Sequence, residues 1–150
     1  MHPVRRLFDL ARKVPGGRTL YSRLLGFYIP YTGSIGAQVR DLEPGAATLC
    51  LPDRRAVRNH LDSVHALAIA NLGELTTGLA IMSAMPAKSR SILRRLEVEY
   101  LKKARGALKS HADAPTDLPS GRHELPLKAE IRDAQGVLVA TVTATWVVEF

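Results

Sequence analysis

The segment from Ser63 to Met82, Ser-Val-His-Ala-Leu-Ala-Ile-Ala-Asn-Leu-Gly-Glu-Leu-Thr-Thr-Gly-Leu-Ala-Ile-Met, constrains the fold more than any other part of the chain. It is too long for a strand, and its apolar residues fall on almost every side of a helical wheel. A helix of that kind has no solvent face to spare, so the rest of the chain must wrap it. Asp62 or Ser63 is placed to cap its start and Pro86 to end it. Its ionisable and polar content, His65, Asn71, Glu74 and two threonines, argues against a span across a bilayer.

The flanking sequence supplies the wrapping. Ile35 to Asp41 and Ala47 to Leu51 read as a hairpin around Glu43-Pro44-Gly45. Beyond Pro86 the apolar period becomes two: Leu96, Val98 and Tyr100 alternate with Glu97 and Glu99, and Leu125, Leu127, Ala129 and Ile131 with Lys128, Glu130 and Arg132. Val137 to Phe150 is apolar or Thr-rich on both faces and reads as a central, doubly covered strand. Asp113 to Arg122 reads as a loop. A ferredoxin-like fold is the main alternative, but it needs a second helix, and no helical period follows Pro86. Residues 1–32 read as a helical extension broken at Pro15-Gly16-Gly17, with a basic amphipathic helix on a membrane as the sharper alternative. Residues 33–150 form the main α+β domain.

At 150 residues the chain fits one domain, and its net charge of +7 suggests a polyanionic partner or only a soluble basic surface. The Lys and Arg residues are scattered without the aromatic interleaving of a nucleic-acid platform. The single cysteine, Cys50, excludes an internal disulfide, suits a reducing cytoplasm and is expected in the core. No metal-ligand spacing, phosphate-binding Gly-rich loop or serine nucleophile elbow is present, so neither a metal nor a resident cofactor is expected.

Glu74 is the residue that a buried helix should not contain, because an unpaired carboxylate in an apolar interior is costly or neutralised. With Asn71 and Thr77 it forms one polar stripe within roughly 120° of the helix surface. Either an arginine at a subunit interface pairs with Glu74, or its carboxylate lines a cleft as a base or nucleophile toward a carbonyl.

The run Asn59-His-Leu-Asp-Ser-Val-His65-Ala-Leu-Ala-Ile-Ala-Asn-Leu-Gly-Glu74 resembles the signature of hotdog-fold acyl-CoA thioesterases, in a branch related to the phenylacetyl-CoA thioesterase type. That family has a long central helix wrapped by a curved antiparallel sheet of about five or six strands. The resemblance implies that Glu74 is the catalytic carboxylate and that Asn59 orients water or the thioester. It also implies that the Ala66 N–H, next to His65, binds the thioester oxygen at the positive helix end. Thr77, one turn beyond, is a candidate partner of Glu74 or of substrate. Two glycines usually follow the His in that family, whereas Ala66 and Leu67 stand here.

The carrier phosphates would meet basic side chains, with Arg58, Lys88, Arg90, Lys102 and Arg105 as candidates. The helix and sheet cover one face of the core well, which predicts a homodimer or dimer of dimers, with Asn59 of one subunit facing Glu74 of the other. Thioester hydrolysis is the expected activity. A catalytically silent hotdog protein that binds acyl-CoA or serves as an assembly module is the second reading, and hydroxyacyl dehydration the third. Nucleic acid and membrane are not expected as partners.

Overall fold

The structure, a computed structural model, describes residues 1–150. The element order is α1 (Pro3–Ala11), α2 (Gly17–Tyr28), α3 (Pro30–Gly33), β1 (Gln38–Glu43), β2 (Ala46–Leu51), a 3₁₀ turn (Arg55–Val57), α4 (Ala66–Ala84), β3 (Arg90–Tyr100), β4 (Leu108–Asp113), β5 (Arg122–Arg132) and β6 (Leu138–Glu149). All six strands join one antiparallel sheet in the order β1-β2-β4-β5-β6-β3. The sheet packs on α4, giving the hotdog architecture.

Helix α4 is apolar and long enough to cross a membrane by length and composition, but most of it is buried inside the protein. It is the core of the domain. Two glycines let it lie close to β6. A Cβ on Gly73 would stand 2.4 Å from the Val142 side chain, and one on Gly78 would meet the Trp146 ring at 3.1 Å. Leu72, Leu79, Leu49, Leu108, Ile131 and Val142 fill the main core between helix and sheet. Ile81, Leu127 and Trp146 belong to a smaller cluster nearer the helix C-terminus.

Several sequence expectations need correction. Strand β1 begins at Gln38, not Ile35, because Gly36 turns the chain with φ of +65°. The cap of α4 is His65, whose Nδ1 accepts the Leu67 N–H at 3.0 Å. Asp62 instead sits in a left-handed turn and pairs with Arg58. Cys50 lies outside the core, since β2 turns Ala47, Leu49 and Leu51 inward and leaves Cys50 half-exposed on the opposite face. Strand β6 is covered on both faces only in its first half, where Val139, Ala140, Thr141 and Val142 are all buried; beyond it Ala144, Trp146 and Val148 are buried while Thr143, Thr145 and Val147 are half-exposed outside. On the outer face of the second half, Thr and Val are strand formers that need no full cover.

The N-terminal helices are fastened by polar contacts as well as by Phe8 and Tyr21, whose rings meet edge to face at 5.3 Å. Buried Arg5 bridges Asp9 and Glu43, both at 2.9 Å, tying α1 to β1. The Asn71 amide of α4 reaches the Tyr31 carbonyl at 3.5 Å, so α3 lies beside the polar stripe of the central helix.

Candidate active site

Helix α4 enters its first turn from the loop that follows β2, and that loop is organised by Asn59. The Asn59 Oδ1 accepts the N–H groups of Leu61 and Ser63 at 2.9 and 3.1 Å, closing an Asx turn. Its Nδ2 makes no bond within the chain and stays free to donate. His65 carries the turn into the helix; because its Nδ1 accepts from Leu67, the imidazole proton sits on Nε2 when the ring is neutral.

The Ala66 N–H lies next to this cap and has no acceptor in the chain. The Ala66 carbonyl accepts the Tyr100 hydroxyl at 2.8 Å, so the end of β3 fixes the first helical turn. Asn59, Ala66, Ile69, Tyr100, Lys102 and Lys103 share a crevice of about 370 Å³ at this helix end. A free backbone donor, a free amide and two lysines therefore border one crevice where the helix dipole is positive. Such a constellation polarises a carbonyl and attracts an anion. Tyr100 and Lys103 had no distinctive sequence signal, because only the sheet brings the end of β3 to the start of α4.

Glu74 is two turns further along α4, about 12 Å from Ala66 at 1.5 Å per residue. It does not line the crevice. Its carboxylate is half-buried and pairs with no cation, and burial raises its pKa above the usual carboxylate range. Around it the helix surface is almost entirely enclosed, with Leu72, Leu75 and Thr76 buried on the neighbouring positions. Leu67 is 63% exposed on the same side of the helix. Leu96 and Tyr100, on the inner face of β3, are also incompletely covered.

Thr77 does not belong to this open stripe. Its hydroxyl is buried against the Gly73 and Glu74 carbonyls at 3.1 and 2.9 Å, and it accepts the Trp146 indole N–H at 3.1 Å. With its one proton turned to a backbone carbonyl, it has none for the Glu74 carboxylate or a substrate.

The basic candidates also separate. The Arg58 guanidinium is held by Asp53 at 2.8 Å and Asp62 at 3.0 Å, pairings that raise its pKa and occupy its fork. Lys102 lines the crevice. Arg105 is exposed in the loop between β3 and β4. Lys88 and Arg90 stand beyond the far end of α4, a helix roughly 28 Å long, and cannot meet the same phosphate as Lys102 within one subunit.

The family described as a domain of unknown function, DUF4442, matches residues 17–148. The chain belongs to that family. The DUF4442 span takes in α2 and α3 together with the whole sheet and α4. A crystal structure of a structural-genomics target is 31% identical, with a TM-score of 0.83 and 97% of each chain covered. A Pseudomonas aeruginosa protein of unknown function, named a probable thioesterase, is 23% identical, with 91% of this chain and 96% of that chain covered and a TM-score of 0.78. A phenylacetic acid degradation-related protein from Ralstonia eutropha JMP134 is 21% identical, with 79% and 89% covered and a TM-score of 0.67. At these identities the last two share the fold. No curated protein matches the chain in sequence.

Proposed function

We propose that the protein hydrolyses a thioester of the acyl-CoA type, with Glu74 as the general base and the N-terminus of α4 as the oxyanion site. The observation that carries this reading is the carboxylate of Glu74, half-buried, unpaired and raised in pKa on the central helix. An acid kept there without a partner is a stability cost, and such groups concentrate at functional sites. The structural-genomics names of the fold relatives, which include a probable thioesterase, support the same class of reaction.

The chemistry follows from the free donors. The thioester carbonyl oxygen accepts the Ala66 N–H, and the Asn59 amide orients water or the carbonyl. Glu74 removes a proton from water as its oxygen bonds to the carbonyl carbon, and the negative charge gathers on the oxygen at the helix end. Collapse of that adduct breaks the C–S bond, releasing the carboxylic acid and a thiolate that takes up a proton. Lys102 and Lys103 attract the carrier phosphates, with Arg105 near the same end.

The 12 Å between Ala66 and Glu74 within one subunit is too long for this reaction, so the site joins two subunits. The unpaired edge of β3 and the open margin of Leu67, Leu96 and Tyr100 support a second copy docking there, so that Asn59 and Ala66 of one protomer face Glu74 of its partner. The test is a panel of short, long and aryl acyl-CoA thioesters with thiol release as the readout. Hydrolysis by wild type and its loss in Glu74→Ala support the reading; equal rates remove Glu74 from it. Binding of acyl-CoA without turnover would favour the silent-module reading, to which Leu67, in place of the family's second glycine, lends weight.

A further inference from the structure

A second crevice, of about 490 Å³, lies on the side of the domain covered by the N-terminal helices. It is bounded by α2, α3, the entry to β1, the segment after β2 and Leu75 of α4. Two arginines, Arg23 and Arg54, line it and no acidic residue does. Neither guanidinium takes part in an ion pair.

Arg54 is fixed in this position by the backbone. Its Nη2 donates to the Ile35 carbonyl at 2.6 Å, and the guanidinium lies against Gly36. A Cβ on Gly36 would stand 2.5 Å from that nitrogen, and the residue's φ of +65° already favours glycine. The turn into β1 thus leaves room for a planar cation that an alanine would displace. The opposite corner is built by a close helix crossing, where a Cβ on Gly33 would fall 2.1 Å from the Gly26 carbonyl oxygen.

An anchored guanidinium with one nitrogen committed to a carbonyl keeps further N–H donors for an acceptor. Away from any acid, the best acceptor is a carboxylate, whose two oxygens match the guanidinium fork. Leu25 and Leu75 offer surface to a hydrocarbon body, which inorganic anions lack. The volume falls within the range of small-molecule sites, roughly 300 to 1,000 Å³. We propose that this crevice binds a free organic carboxylate with an apolar body, the carboxylate on Arg54, Arg23 adding to the positive field, and the hydrocarbon part against Leu25 and Leu75. A carboxylic acid is also what thioester hydrolysis releases, but the assignment rests on the crevice alone and not on Glu74.

Isothermal titration of the full chain at low salt with octanoate, octanol and inorganic phosphate tests the assignment. Octanoate is expected to saturate one site per subunit, with octanol and phosphate each weaker by about tenfold or more. Arg54→Gln should weaken octanoate by about tenfold and Arg23→Gln by a smaller factor, whereas Glu74→Gln leaves it unchanged. Circular dichroism reports whether each variant is folded. Should Arg54→Gln unfold, Arg23→Gln and the octanol comparison decide. Absence of saturable octanoate binding, octanol or phosphate binding as tightly, or binding indifferent to both arginine substitutions overturns the assignment.

Discussion

The Trp146 indole N–H donates to Thr77 Oγ1 at 3.1 Å, and that hydroxyl bonds back to the Gly73 and Glu74 carbonyls, so β6 grips the helical turn that carries Glu74. Replacing Thr77 by Val keeps the shape but leaves a buried indole donor without an acceptor. We expect Thr77→Val to destabilise the fold by about 1–3 kcal/mol in urea denaturation. Thr77→Ser should recover most of that loss by restoring the acceptor. If Val is tolerated at no cost, the contact does not hold the turn.

His65 caps α4 through its side chain, so His65→Ala should cost about 0.5–2 kcal/mol, and His65→Asn, which offers an oxygen at the same position, should recover part of it. The comparison of midpoints in denaturant checks this. Equal stability of all three proteins would assign the start of the helix to packing instead.

The raised pKa of Glu74 ties folding stability to pH. The folded protein binds this proton more tightly than the unfolded chain, so neutral Glu74 favours folding. That contribution is fully present below the unfolded carboxylate pKa and is lost as pH rises through the higher folded value. Relative to Glu74→Gln, wild type should therefore lose stability over that window and match it again in acid, as thermal melts against pH will show. For hydrolysis the sign reverses: the base must be ionised, so kcat/KM should climb over the same raised window. A rate profile flat through it would separate Glu74 from the chemistry.

Edge strand β3 leaves Leu96 on the inner face only partly covered, and Leu67 in the first turn of α4 is exposed as well. A second subunit on that margin would bury both. Leu96→Asp should thus turn a dimer into monomers, read as mass by light scattering, and abolish hydrolysis because no chain holds the whole site. A monomeric wild type, or an active monomeric variant, would contradict the shared site.

Much of this architecture was legible in the residues because two periodicities are hard to confuse: an enclosed helix from Ala66 and alternating strands at Leu96–Tyr100 and Leu125–Ile131. Glu74 was legible for the opposite reason, as a charge where the helical pattern forbids one. What escaped were outcomes of tertiary competition. Thr77 shares the helical stripe of Glu74 by spacing, yet the indole of Trp146, far away in sequence, claims its hydroxyl. Arg58 looked free for phosphate until Asp53 and Asp62 closed on it. Tyr100 and Lys103 reach the helix start only through the pairing of β3 with β6, which no local pattern encodes.

The most direct test pairs two measurements on one variant at pH 7: the melting temperature and the thioester-hydrolysis rate of Glu74→Gln. Removal of a half-buried, unpartnered charge should raise the melting temperature, while loss of the base should lower the rate by about 10²–10⁴-fold. A variant as active as wild type would contradict the account, whatever its stability.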